Sequence, residues 1–195
     1  MIELVTVVAE TCLLLENCGQ LSKEEFIQKS VKLFPLLYLK TTLVEMEETE
    51  DDSSERFVTE DDYLYIKQQI ETLLGADDAF LEVFHPDMPY SDTPIASFVS
   101  ENIADIYQEL KDFAANYQIG ETYIMESALY NYLQAFAEHW GQKLLNILRA
   151  LHALRYNDRF GMGEDDSSFK SDEYRKLDRN SFLRFQKDDD DDDEI

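Results

Sequence analysis

Residues 93–117, TPIASFVSENIADIYQELKDFAANY, decide the fold class. Their large apolar residues stand at Ile95, Val99, Ile103, Ile106, Leu110, Phe113 and Tyr117, at intervals of four and three. At about 100° per residue such intervals keep all of them on one face of a helix, which must then pack on a core. Thr93 as N-cap and Pro94 in the first helical position set the start, because proline lacks an N–H that the first turn would leave unpaired anyway. The pattern predicts a helix over 94–118, punctuated by Gly120.

Residues 121–157 continue in the same style and are apolar on most faces, with Leu129, Leu133, Phe136, Trp140 and Leu151 inward. They read as one long core helix, or two bent at Gly141. Glu126 and Lys143 fall near the inner face, where an unpaired charge is costly, so each needs a partner or an exposed helix end. Upstream, residues 2–17 are apolar nearly all round and are expected to lie in the core. Ser22 and Glu25 form a capping-box pattern opening a helix to about Leu43, with a bend or break expected before Pro35. Thr59 caps a third helix whose first turn holds Glu60, Asp61 and Asp62, the sign a helix N-terminus favours. Residues 76–84 read as a short helix, and 85–94, with three prolines, as a loop. The chain is therefore expected to be all-α, a single helical bundle of five to seven helices over 1–158 with a long C-terminal core helix. Residues 159–195 read as a linker, a mixed-charge aromatic arm and a poly-Asp tail.

Charge is the outlier. Forty-two acidic residues against 17 basic ones give −25 in 195 residues. Residues 45–92 hold 16 acids and 2 bases, and residues 161–195 hold 13 and 6, whereas residues 1–44 hold 5 and 4. Such a chain repels nucleic acid and anionic membranes and attracts basic proteins. No stretch has the 18 apolar residues of a membrane helix. The N-terminus lacks the basic start of a signal peptide, and Cys12 and Cys18 lie too far apart along one helix for a disulfide. These features point to a cytoplasmic protein.

Candidate chemistry is sparse. Glu82-Val83-Phe84-His85 has the Glu-x-x-His spacing that diiron bundles use twice, but here it occurs once and runs into Pro86, so Glu82 and His85 form only a weak metal candidate. Glu101, Asp105, Glu109 and Asp112 make an acidic ridge opposite the apolar stripe, expected to face water or a partner. Glu138, Arg149 and His152 gather on the polar side of the last helix with His139 at its boundary. With Tyr107 they are candidate lining for a polar groove between the fourth and fifth helices, able to hold a small ligand or a substrate. No phosphate loop, nucleophile elbow or zinc spacing is present, and no cofactor is expected.

The stretches YSDTPIASFVSENIADIYQELKDF (90–113) and EHWGQKLLNILRALHAL (138–154) resemble a bacterial family of small helical proteins known only as a domain of unknown function. The resemblance spans about residues 2–158 and implies a compact helical domain in a bacterial protein, with no assigned reaction, cofactor or catalytic residue. The reading that follows is a non-enzymatic module binding a basic protein through acidic segments. These are Glu45, Glu47, Glu48, Glu50, Asp51 and Asp52, and Asp188, Asp189, Asp190, Asp191, Asp192, Asp193 and Glu194. An enzyme or small-ligand binder using the polar groove is the alternative.

Overall fold

A computed structural model describes residues 1–45, 53–82 and 96–156. Among them are six α-helices: α1 (Ile2–Glu16), α2 (Lys23–Thr42), α3 (Glu60–Leu74), α4 (Val99–Ile119), α5 (Thr122–Ala135) and α6 (Gly141–Tyr156). The expected arm and tail lie outside the described residues.

The fold is all-α around α4, which packs against α1, α3, α5 and α6, while α2 lies on α1 and α6. Of the predicted stripe, Val99, Ile103, Ile106, Leu110 and Phe113 are buried and Tyr117 is half-buried, while Ile95 lies outside the described residues. Gly120 ends α4 with φ 82°, a left-handed conformation that glycine adopts without steric cost. The central helix is thus α4. It is the member with four helical neighbours, so even its second face is covered.

Both predicted caps form. Ser22 Oγ accepts from Glu25 N while the Glu25 carboxylate accepts from Ser22 N, and Thr59 and Asp62 repeat the arrangement. These bonds hold both carboxyls below their ordinary range, Glu25 chiefly through the Ser22 amide and Asp62 chiefly through the Thr59 hydroxyl. Each contribution is present above the unfolded carboxyl pKa and is lost as pH falls through the folded one.

Four expectations change. First, α2 runs unbroken through Pro35; the tertiary packing of Phe34 and Leu37, both buried, outweighs the missing hydrogen bond. Second, the helix expected at 94 begins at Val99. Ala96–Phe98 (β2) instead pairs antiparallel with Ala79–Leu81 (β1), part of the stretch expected to be helical. Third, α1 buries Leu4, Val7, Val8, Cys12 and Leu15 but leaves Ile2 and Leu13 exposed, so it is a surface helix with an apolar outer side. Burial pushes the Cys12 thiol up to about 12, and Cys12 and Cys18 are both buried and free.

The fourth concerns the acidic ridge of α4, which neighbours occupy. Glu101 pairs with Lys67 of α3 at 2.6 Å, and Asp105 takes both Tyr63 Oη at 2.9 Å and the ammonium of Lys143. Lys143 thereby gains the partner its position demanded, and Glu126 is exposed. The wheel placed these acids correctly; α3 and α6 then covered that side of α4.

The last two helices are joined by a π turn, Phe136–Trp140, immediately before Gly141. A Cβ on Gly141 would stand 2.6 Å from Phe136 O and 3.0 Å from its ring. Glycine is what lets the widened turn close there, so Gly141, the residue expected to divide this segment, follows the π turn directly.

Candidate functional site

Residues 53–58 have no regular structure, so their backbone groups need partners elsewhere. Polar side chains on α4 and α5 supply them. Asn116 accepts from Glu55 N at 2.9 Å and donates to Glu55 O at 2.7 Å, as a strand neighbour would. Asp112 Oδ1 accepts from Phe57 N and Val58 N at 2.7 and 2.9 Å. Ser127 Oγ accepts from Ser53 N at 3.1 Å, and Asn131 donates to Ser54 Oγ at 2.8 Å. The segment is a strap laid along the α4–α5 groove and fastened by side chains.

Beneath and beside the strap is a cavity of about 490 Å3, lined by Ser54, Glu55, Arg56, Glu109, Asp112, Phe113, Asn116, Ala128, Asn131, Tyr132, Gln134, Ala135 and Glu138. Four carboxylates meet one guanidinium. Asp112 is committed to the strap, and Glu138 accepts from Gln134 at 3.3 Å. Glu109 is different: no described residue donates a hydrogen bond to it. Burial pushes its carboxyl above the ordinary range and Asp112 and Asp105 add to the effect, while Arg56 and His139 offset part of it. Among the described residues, Glu109 is thus a half-buried carboxylate without a donor, set in a polar cavity.

The residues expected to line a groove between the fourth and fifth helices are only partly brought together. Glu138 lines it. His139 is exposed in the π turn and lies close enough to act on Glu109. Tyr107 is buried on another side of α4, its hydroxyl donating to Glu16 at 3.0 Å. Arg149 and His152 are exposed on α6, with the His152 ring 4.5 Å from that of Tyr156. The wheel used a straight helix over 121–157, and the π turn changes its phase before Arg149 and His152. Of the acidic set, Glu45 is described and exposed; Glu47–Asp52 and Asp188–Glu194 lie outside the described residues. So does His85, while Glu82 accepts from Asn146 of α6. Among the described residues there is no group of three possible metal ligands, and no helix is long and apolar enough to cross a membrane.

The part Asn116, Asn131 and Asp112 play in holding the strap was not read from the sequence, although Asp112 was placed in the acidic ridge. A signal existed: Asn116 stands between Phe113 and Tyr117 on the apolar stripe, where an amide must find backbone to bond. Asp112→Ala removes the acceptor of two strap amides. It is expected to lower stability by about 2 kcal/mol and to hasten proteolytic cleavage within 53–58, read by limited proteolysis with mass spectrometry. An unchanged cleavage rate would contradict the fastening described here.

Residues 1–157 match the family model described as a domain of unknown function, DUF5063. This chain belongs to that family. The crystal structure of protein BF1032 from Bacteroides fragilis, a structural genomics target, is similar to this DUF5063 domain with 36% sequence identity and a TM-score of 0.71. The match covers 80% of this chain and 91% of that one. No curated protein matches the chain.

Proposed function

We propose that this domain is a non-enzymatic binding module for a basic protein, and that the groove beside the strap receives a lysine or arginine side chain of that partner. The observation that carries this reading is Glu109, a half-buried carboxylate to which no described residue donates a hydrogen bond, in a cavity where Glu55, Asp112 and Glu138 add three more carboxylates against the one guanidinium of Arg56. An incoming ammonium or guanidinium supplies the missing hydrogen bonds and offsets the repulsion among the acids. The acidic sequence 45–52 leads directly into the strap, and its charge draws a basic surface toward the groove through attraction that salt screens. The cavity volume also suits a small ligand; the same chemistry would select a polyamine, the second reading.

The test titrates a fluorescent lysine- and arginine-rich peptide, and separately a polyamine, against wild type and the Glu109→Gln/Glu138→Gln variant. Peptide affinity is expected to fall at least about tenfold in the variant. In the wild type it is also expected to fall as acidification protonates Glu109, beginning at a higher pH than an ordinary glutamate would give, because the Glu109 carboxyl is raised. Equal affinity and equal pH dependence in both proteins would remove the groove from the reading. Tight polyamine binding with no peptide binding would favour the second reading.

A further inference from the structure

The face formed by α1 and α2 is separate from the acidic groove and has the opposite character. Leu13 of α1 and Leu36 of α2 are 51% and 39% exposed. With Leu33 they line an open apolar trough of about 540 Å3, rimmed by Glu10 from α1 and by Lys29 and Lys32 from α2. The two helices are antiparallel neighbours, joined by the short connection at 17–22 and tied at the other end by Glu3 and Lys40 at 2.6 Å. Exposed apolar surface of this kind is a candidate for contact with another molecule.

We propose that this face associates with the same face of a second copy. Charge identifies the occupant. With the two-fold axis running along the trough, parallel to the helices, α1 of each copy lies on α2 of the other, so Glu10 of either copy is set against Lys29 and Lys32 of the other and the complementarity is satisfied twice. Two antiparallel helix pairs laid face to face also form a four-helix layer, an arrangement in which apolar ridges interdigitate. The rest of the chain opposes self-association by its charge, but residues 1–44, with 5 acids and 4 bases, add almost nothing to that repulsion. A basic partner would instead meet the two lysines, and an acidic one would meet Glu10.

The experiment is sedimentation velocity of the full chain from low micromolar to submillimolar concentration at physiological salt. Wild type is expected to show a monomer–dimer equilibrium, and Leu13→Glu/Leu36→Glu to remain monomeric with an unchanged thermal melt, since both leucines are exposed. Glu10→Lys and Lys29→Glu/Lys32→Glu are each expected to weaken the dimer about tenfold or more, and mixing these two variants to restore a heterodimer. A wild type that stays monomeric throughout, a dimer that survives Leu13→Glu/Leu36→Glu, or charge variants that fail to pair on mixing would each overturn the proposal.

Discussion

Trp140→Ala is expected to cost about 3–5 kcal/mol, the range for deleting a large buried aromatic. Trp140 is fully buried at the end of the π turn. Its ring meets Phe136 edge-on at 4.7 Å and Tyr132 at 5.2 Å, and its indole N–H donates to Tyr132 O at 3.4 Å. Tyr132 in turn stacks on Phe113 of α4 at 4.6 Å and shares a hydrogen bond with Thr41 of α2 at 2.8 Å. The indole therefore supports the junction of α2, α4 and α5 as well as its own turn. Against a typical domain stability of about 5–15 kcal/mol, the loss is a large fraction of the whole. Urea unfolding followed by circular dichroism measures it, because the only tryptophan is the residue removed. Trp140→Phe keeps most of the ring stack and is expected to cost less than half as much. A loss below about 1 kcal/mol for the alanine variant would mean that the site collapses freely, contrary to the packing described.

The second large effect is expected at Asp78, where alanine should cost about 2–4 kcal/mol, from hydrogen bonds to a buried charge and a lost helix cap. Asp78 is 4% exposed and stands 22 residues before Ser100. One carboxylate oxygen accepts from Ser100 N at 2.7 Å and the other from Ser100 Oγ at 2.7 Å. Ser100 is in the first turn of α4, whose own N-cap residue, Phe98, offers no side-chain acceptor. The pairing of Ala79 with Phe98 brings Asp78 alongside that turn, so β1, β2 and the cap are one device. The carboxylate also sits at the positive end of the α4 dipole. Hydrogen exchange should show the Ser100 amide losing protection in Asp78→Ala by more than the global destabilisation explains. Protection that falls only in step with global stability would deny Asp78 its capping role.

Asp78 also shows why one boundary could not be read locally. Thr93 and Pro94 are a correct start signal by chain-local rules, yet Ala96–Phe98 are extended because β1 offers them a ladder and Asp78 offers Ser100 a cap. Neither offer is visible within a window of nearby residues. The same holds for the candidate groove. A helical wheel located Glu138 on an outward face and the acidic ridge opposite the stripe. It could not show that a strap 53–58 would lie over Asp112 and Asn116 while, among the described residues, leaving Glu109 without a donor. Arg149 and His152 were set beside Glu138 on the assumption of uniform helical phase, which the π turn breaks.

Local chemistry determined the helices of this protein, most of their ends and their buried faces. The Ser22–Glu25 capping box, the Thr59 cap, the stop at Gly120, the division of the last segment before Gly141 and the stripe from Val99 to Phe113 all rest on interactions within a few residues, and the sequence states them directly. Tertiary structure decided the rest: α2 continuing through Pro35, α4 at the centre, and the acidic ridge taken up by Lys67, Tyr63 and Lys143. It also decided the groove and the leucine trough between α1 and α2. Each depends on groups far apart in sequence meeting in space, and no periodicity along a single helix encodes such a meeting.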